Sequence, residues 1–190
     1  MGRQIWFTSD THFGHANIIR YSGRPFADVV AHDRGLVAAW NNVVRPADLV
    51  YHLGDFAYKA EQSVADLVRK LHGTIYLIEG NHDAAAKRER ACFANFTPVA
   101  TVKAGGRRVF LSHYAHRVWP GSHRGVWHLY GHSHNSLPDD PHALCFDVGV
   151  DAVAARLGGE PQDYRPMHVD EVAEVMAAKT FRPVDHHGRR

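Results

Sequence analysis

The chain has 190 residues, of which 45% are hydrophobic, and this is enough to form the core of one domain of ordinary size. Its formal net charge of +2 is too small to indicate nucleic-acid or membrane binding by itself. No apolar stretch is long enough to span a bilayer and no signal peptide is evident, so we expect a cytoplasmic protein. The 2 cysteines form neither a zinc-type pair nor a disulfide framework, whereas the 16 histidines are unusually many.

The first half of the chain alternates between predicted strands and predicted helices. Short apolar runs indicate strands, and apolar positions at helical spacing indicate helices. In chain order we predict a strand over 3–8, a helix over 28–44, a strand over 48–53, a helix over 60–71, a strand over 74–79 and a helix that ends near Cys92. This order is typical of a largely parallel sheet with helices outside it.

The second half is predicted to be mostly β. The predicted elements are strands over 98–103, 107–112, 126–130 and 143–150, and a helix over 168–178. Between the first two strands, Ala104-Gly105-Gly106 is a hairpin signal. We therefore predict an α/β fold in which two sheets pack face to face, with one domain over residues 1–180 and a flexible tail over 181–190.

Polar residues follow most of the predicted strands, at the point where each strand ends. They are Asp10-Thr11-His12, Gly54-Asp55, Gly80-Asn81-His82-Asp83, Ser112-His113 and Gly131-His132-Ser133-His134. Because sites in open α/β sheets form at the carboxyl ends of the strands, we expect these side chains to lie close together. They offer oxygen and nitrogen ligands but no sulfur, which suits Mn²⁺, Fe²⁺, Co²⁺, Ni²⁺ or Zn²⁺.

The number of candidate ligands indicates two ions rather than one. Residues i and i+2 of an extended segment point to the same side, so Asp10 and His12 should face together, as should His132 and His134. A pair of neighbouring ions also needs a bridging carboxylate. Two divalent ions held by two aspartates retain a positive charge that favours a phosphate oxyanion, which is typical of a site that hydrolyses phosphate esters.

The same motifs resemble those of the calcineurin-like metallophosphoesterases, over about residues 3–151. The family pattern is D-x-H, G-D, G-N-H-D or G-N-H-E, a lone H and G-H-x-H, and every element is present here in that order. The resemblance implies a four-layer α-β-β-α sandwich with two mixed sheets. The start DTHFGHANI, followed by RYSGRPF, is similar to small bacterial and phage members, whereas GDFAYKA departs from the G-D-x-x-D-R-G of the phosphoprotein phosphatases.

The resemblance implies a role for each motif residue. One metal would be held by Asp10, His12, Asp55 and His134, with Asp55 as the bridge, and the second would be completed by Asn81, His113 and His132. His82 would contact the phosphate and protonate the leaving oxygen, with Asn81 stabilising the charge on the phosphate. Asp83 would either orient His82 or hold the local turn. His116 competes with His113 for the lone histidine, and we favour His113 because it directly follows a predicted strand.

Four further residues are candidates for substrate binding: Arg117, Trp119, His15 and Arg24. Arg117 and Trp119 lie between two predicted ligands, where they favour a phosphodiester with a nucleotide-like group over a small phosphomonoester. Each candidate has an alternative. The arginines would instead pair with surface acids, Trp119 would pack beneath its loop, and His15 would begin a helix.

The predicted function is a binuclear metal-dependent phosphoesterase, with Mn²⁺ as the first candidate for both ions. Its partner would be a small phosphate ester. The small net charge argues against long duplex nucleic acid. The alternatives are a phosphomonoesterase, a nuclease and a metal-free scaffold of the same fold, and the complete ligand set argues against the scaffold.

Overall fold

The computed structural model describes residues 2–185 and contains two mixed β-sheets with helices. The strands are β1 (Ile5–Thr8), β2 (Leu49–His52), β3 (Thr74–Ile78), β4 (Asn95–Thr97), β5 (Val99–Ala104), β6 (Arg107–Ser112), β7 (Trp127–Tyr130), β8 (Cys145–Asp147) and β9 (Met167–His168). The helices are α1 (Ala16–Tyr21), α2 (Val29–Val43), α3 (Val64–Lys70), α4 (Ala84–Arg88), α5 (Val150–Leu157) and α6 (Val169–Ala177).

Each of the two sheets has one antiparallel strand, which lies at an edge. The first has the order β4-β3-β2-β1-β9, in which β1 to β4 are parallel and β9 runs antiparallel to β1. The second has the order β5-β6-β7-β8, in which only the β5–β6 pair is antiparallel. The predicted α/β fold with two mixed sheets is confirmed, and the parallel strands of each sheet end at a common edge.

The main core lies between the sheets. Phe7 and Ile78 of the first sheet pack with Leu111, Leu129 and Phe146 of the second, and all five side chains are almost fully buried. Side chains alternate between the faces of a strand, so Phe110, which is adjacent to Leu111, points to the opposite side of the second sheet. The inward-facing residues thus hold the two sheets together.

The outer faces of the two sheets are covered differently. On the first sheet, Leu36 and Trp40 of α2 and Leu67 of α3 pack against Val50 and Leu77. On the second sheet, Phe110 packs instead with residues of the segment between β6 and β7, which contains one turn of 3₁₀-helix. This segment, rather than a long helix, covers the second sheet.

Among residues 2–185, four elements are absent from the prediction: α1, β4, α5 and β9. In one case the chain turns earlier than its apolar pattern indicates. The strand predicted over 143–150 ends at Asp147, and α5 begins at Val150, whose N–H donates to the Ser9 carbonyl (3.0 Å). The sequence predicts a single strand here because Val148 and Val150 continue its apolar pattern. No polar residue between them marks the start of the helix after Gly149. β9 has only two residues, which are too few to show the alternating pattern by which a strand is recognised in a sequence.

The end of the chain is partly tied to the domain. The Thr180 N–H donates to the Pro141 carbonyl and the Arg182 N–H donates to the His142 carbonyl, both at 2.9 Å. The rest of the predicted tail, residues 186–190, lies outside the described residues, so the flexible tail and the boundary at residue 180 stay predictions. None of the helices within residues 2–185 has the length and apolarity needed to cross a membrane.

Candidate metal centre

The loops that follow β1 and β2 run side by side at the carboxyl edge of the first sheet. The N–H of Asp10 donates to the Gly54 carbonyl (2.9 Å), and the N–H of His12 donates to the Asp55 carbonyl (2.9 Å). These backbone hydrogen bonds continue the pairing of the parallel strands beyond their ends. As a result, the side chains of Asp10, His12 and Asp55 are brought to one place by the sheet itself.

Six of the predicted ligands form two groups, each with ligand atoms within 4.8 Å of one another. The first group is Asp10, His12 and His134, and the second is Asp55, His113 and His132. His113, rather than its competitor His116, lies in the second group. Asn81 adjoins the same group, because its Oδ1 lies 3.0 Å from His113 Nε2.

Five of the ligand residues have left-handed backbones. They are Asp10 (φ 58°), His12 (φ 49°), Asp55 (φ 57°), His132 (φ 66°) and His134 (φ 45°). Such conformations cost of the order of 1–3 kcal/mol each and persist only where the surrounding structure holds them. His132 and His134 do face one cleft, but left-handed turns rather than the expected extended geometry bring them there, and each joins a different group.

The carboxylate of Asp55 lies between the two groups. Its Oδ2 is 3.4 Å from His12 Nε2, in the first group, and 3.6 Å from His113 Nε2, in the second. Its Oδ1 accepts the N–H of His82 at 2.8 Å, which fixes the plane of the carboxylate. One oxygen atom of Asp55 is therefore placed to touch an ion in either group.

The position of the proton on the His113 ring shows that a cation fits the second group. His113 Nδ1 lies 2.7 Å from the Leu53 carbonyl, and because a carbonyl only accepts, Nδ1 carries the proton of the neutral ring. His113 Nε2 then carries a lone pair and no proton, and it faces two more acceptors, the Oδ1 of Asn81 and the Oδ2 of Asp55. Three lone pairs that converge without a proton between them are suited to a divalent cation.

The first group also contains acceptor atoms that no donor or positive charge of the described residues faces. Within residues 2–185, the Oδ1 of Asp10 and both ring nitrogens of His12 are buried without a hydrogen-bond partner, and His12 Nε2 meets Asp55 only at 3.4 Å. Burial, followed by repulsion from Asp147 and Asp55, raises the pKa of Asp10 well above its usual value. Burial lowers the pKa of His12, so its ring is neutral, as a metal ligand must be.

Two glycines allow the loops to approach this closely. A Cβ atom at Gly80 would lie 2.4 Å from both the backbone nitrogen and Oδ1 of Asp55. A Cβ atom at Gly131 would lie 2.0 Å from Ser9 Oγ and 2.5 Å from Asp10 Oδ2. The bare backbone at Gly131 lets the N–H of His132 donate to Asp10 Oδ2 at 2.9 Å, which ties the loop after β7 to the loop after β1.

Asp83 holds the turn rather than the ring of His82. Its buried carboxylate accepts the N–H groups of Gly80 (2.8 Å), Asp55 (2.9 Å) and Phe56 (2.8 Å). Burial raises the pKa of Asp83 to about 6, although these three donors oppose the rise. Of its two predicted roles, the structure shows the bracing of the loops after β2 and β3.

Arg24, predicted to bind substrate, lies behind the site and is buried there. All five of its N–H donors are used: two on the Asp151 carboxylate (2.9 and 2.8 Å), two on the carbonyls of Thr11 (3.1 Å) and Asp10 (2.7 Å), and one on His32 Nε2 (2.8 Å). The predicted contact between Arg24 and the substrate is therefore wrong, because no donor remains for a phosphate.

Asp151 connects Arg24 to the metal centre, and the sequence analysis missed it. Its Oδ2 accepts the Nδ1–H of His134 at 2.7 Å, which leaves His134 Nε2 as the lone pair of the first group. Burial alone would raise the pKa of Asp151, but the His134 hydrogen bond and the Arg24 guanidinium outweigh it and hold this pKa below its usual value. The only signal for Asp151 was its place directly after the predicted strand over 143–150, where the predicted ligands also follow strands.

The metal centre opens into a cleft of about 610 Å³, and His15 and His82 are among the residues that line it. Arg117 and Trp119 line a separate cavity of about 410 Å³, which contains none of the predicted ligands. Trp119 is 5% exposed, and its indole N–H donates to the Val126 carbonyl at 2.8 Å. The predicted stacking of Trp119 on a substrate is wrong, because the indole is packed beneath its loop.

The sequence profile of the calcineurin-like phosphoesterases matches residues 3–155. This chain belongs to the calcineurin-like phosphoesterase family. Members of this family hydrolyse phosphate esters, and the His and Asp groups described above are of the kind that bind metal. The family predicted from the strand-end motifs is confirmed.

Relatives of this phosphoesterase occur in an archaeon and in a phage. An uncharacterized protein of Methanocaldococcus jannaschii (MJ1445) is 30% identical over 181 residues, and the match covers 92% of each chain. The Gene 66 protein of Mycobacterium phage L5 is 32% identical over 180 residues, which cover 77% of this chain and 86% of the phage protein. A solved structure from Aquifex aeolicus, the protein of unknown function AQ665, has the same fold, with a TM-score of 0.67 and 21% identity over 92% of this chain and 100% of its own.

The Asp151 contact generates a prediction about metal affinity in this phosphoesterase. Asp151→Asn replaces one of the two carboxylate oxygens with an amide NH₂, so one acceptor is lost, either the one for Arg24 Nε–H or the one that Arg24 and His134 share. We expect the dissociation constant for Mn²⁺ to rise by about 10–100-fold, as measured by calorimetric titration of metal-free protein. Nitrogen-15 chemical shifts of His134 should show a mixture of tautomers before metal is added.

Asp170→Asn is the matched control, because the Asp170 side chain is 82% exposed on α6. It should keep the wild-type dissociation constant. An Asp151→Asn protein that binds Mn²⁺ as tightly as the wild type, with one His134 tautomer, would show that Asp151 does not position this ligand.

Proposed function

We propose that this chain hydrolyses phosphate esters with two divalent ions, one in each group of ligands, and that Mn²⁺ is the first candidate, ahead of Fe²⁺, Zn²⁺, Co²⁺ and Ni²⁺. The position of Asp55 Oδ2, 3.4 Å from His12 Nε2 of the first group and 3.6 Å from His113 Nε2 of its own group, supports this proposal most directly. When bound, such a pair of ions polarises the phosphate and activates the attacking water.

His82 is the proposed general acid. It lines the cleft, belongs to neither ligand group and is anchored beside the bridging carboxylate by its own N–H. The His82 ring lies 5.5 Å from the ring of His12, centroid to centroid, so it adjoins the metal centre without being part of it. From there it donates a proton to the oxygen that leaves phosphorus.

Asn81 has two proposed tasks. Its amide oxygen faces His113 at 3.0 Å, where it completes the second group of ligands. Its N–H groups then remain for a phosphate oxygen, on which negative charge builds during the reaction. Together Asn81 and His82 act on the phosphate from the side of the loop after β3.

The proposed substrate is a phosphodiester with a nucleotide-like group. Arg117 and Trp119 no longer support this choice, because they lie outside the cleft. The support comes from the cleft itself, whose volume of about 610 Å³ exceeds what a single phosphate needs and whose wall includes His15, Tyr21 and Tyr58. A phosphomonoesterase is the alternative.

Removal of metal tests the two-ion proposal. Dialysis against a chelator should abolish hydrolysis, and Mn²⁺ should restore it with two ions bound per chain. Asp55→Asn weakens the bridge, so this variant should lose activity by about 10²-fold or more and hold at most one ion tightly. Asp170→Asn, with its exposed side chain, should behave as the wild type. Full activity after exhaustive chelation would contradict the proposal and favour the metal-free scaffold.

His82→Ala separates the general acid from the ligands. The variant should keep both ions, as measured by elemental analysis, and lose rate by about 10²–10⁴-fold. The loss should be smaller for p-nitrophenyl esters than for alkyl esters, because a good leaving group needs less protonation. His72→Ala, an exposed histidine at the opposite end of β3, should retain the wild-type rate. Loss of an ion from His82→Ala would instead make His82 a ligand.

A substrate panel tests the choice of diester. At matched Mn²⁺ concentration, kcat/KM should be higher for bis(p-nitrophenyl) phosphate than for p-nitrophenyl phosphate. It should also be higher for 2′,3′-cyclic nucleotides than for nucleoside monophosphates. Preference for the monoester in both pairs would leave the two-ion mechanism intact and make the protein a phosphomonoesterase.

A further inference from the structure

One wall of the metal cleft is a continuous series of rings. Tyr21, His15, Tyr58 and His82 all line the cleft, and we call them the aromatic row. The ring centroids are 6.3 Å apart for Tyr21 and His15, 4.7 Å for His15 and Tyr58, and 4.7 Å for Tyr58 and His82. The contacts between consecutive rings are edge-to-face, so the row presents both ring edges and ring faces.

The aromatic row runs from the metal centre to the mouth of the cleft. Two rings of the row adjoin the metal centre, because His82 and His15 lie 5.5 and 5.3 Å from the ring of the predicted ligand His12. At its outer end, Tyr21 is 65% exposed at the end of α1. A group that leaves the phosphate beside His82 and extends outward past His15 would therefore reach Tyr21.

Core packing does not account for the two tyrosines. Neither Tyr21 nor Tyr58 belongs to the hydrophobic clusters found among the described residues, whereas Phe13 and Phe56, close to them in sequence, do. The two-ion mechanism also has no task for either phenol. Two rings that serve neither the core nor the metal ions remain available to a ligand in the cleft.

Each tyrosine is accompanied by a cation. The guanidinium of Arg20 lies 5.3 Å from the ring centroid of Tyr21, and the ammonium of Lys59 lies 5.2 Å from that of Tyr58. Lys59 lines the cleft, so the wall combines flat rings with positive charge, and the exposed Arg20 adds charge beside Tyr21. This combination suits a planar group that is attached to a phosphate, because rings stack on rings and the cations attract the anion.

We propose that the aromatic row binds the leaving group of the substrate and selects one that carries a flat aromatic ring, as a nucleoside does. The proposal rests on the proposed function and names the substrate feature that this function leaves open. Water attacks phosphorus, the bond from phosphorus to the leaving oxygen breaks, and His82 donates its proton to that oxygen. The alcohol that is released is the group that lies along the row.

Non-hydrolysable phosphonates test the row without turnover. In the phosphonate analogues of adenosine monophosphate and ribose 5-phosphate, carbon replaces the ester oxygen, and the two compounds differ only in the base. Calorimetric titration of Mn²⁺-loaded protein should give about tenfold tighter binding for the analogue with the base. Benzylphosphonate and cyclohexylmethylphosphonate, which are similar in size but flat and puckered respectively, show whether a simple aryl group is also preferred.

Tyr21 offers a matched pair of variants, because its exposed ring can be replaced without disturbing the core. Tyr21→Leu removes the flat ring, so the preference for the adenosine analogue should fall below about threefold. Tyr21→Phe keeps the ring and should keep the preference. The ribose analogue should bind equally to the wild type and both variants, because its phosphonate contacts the metal centre.

The outcomes separate the two proposals. Equal affinity for the two members of both phosphonate pairs, in protein that binds two Mn²⁺ ions and hydrolyses phosphate esters, would overturn the aromatic subsite alone. A preference that survives Tyr21→Leu unchanged would also overturn the row as its source. Protein that binds neither Mn²⁺ nor any phosphonate would overturn the proposed function and the subsite with it.

Discussion

The carboxylate of Asp55 lies between two groups of side chains that present lone pairs to one another without protons between them. His113 and His134 are held in this state by hydrogen bonds from their Nδ1 atoms, one to the Leu53 carbonyl and one to Asp151. Lone pairs that converge in a buried site repel one another, and a positive charge among them would relieve this repulsion. The surrounding loops are built to keep these atoms together despite that repulsion.

Two buried side chains behind the ligands supply the restraint. Asp83 accepts three backbone N–H groups from the loops after β2 and β3. Arg24 donates to the carbonyls of Asp10 and Thr11 and to the Asp151 carboxylate. Breaking a buried pair such as Arg24–Asp151 typically costs about 3–5 kcal/mol, because the remaining charge is left unpaired. Such contacts offset the strain of five left-handed ligand residues.

The metal centre and the aromatic row belong to different parts of the fold. The metal centre is built at the edge where the parallel strands of both sheets end, so its shape follows from the sheets. The aromatic row belongs instead to α1 and to the loops around Tyr58 and His82, which lie outside the strands. Loops vary without disturbing the sheets. Tyr21 and Tyr58 have no task as ligand or general acid, so specificity for the leaving group can vary at these two rings without a change in the catalytic geometry.

The sequence by itself determined the ligand types, their order and their common location, because polar residues at the ends of parallel strands must meet at one edge of a sheet. Only the tertiary structure decided how the backbone presents them. His132 and His134 reach the site through left-handed turns, in place of the extended geometry that a period of two assumes. Arg24 and Asp151 are 127 residues apart and become one ion pair only in the folded chain, while Trp119 is buried because Phe110 faces outward from the second sheet. Contacts of this kind depend on where distant segments pack, and no local pattern in the sequence records it.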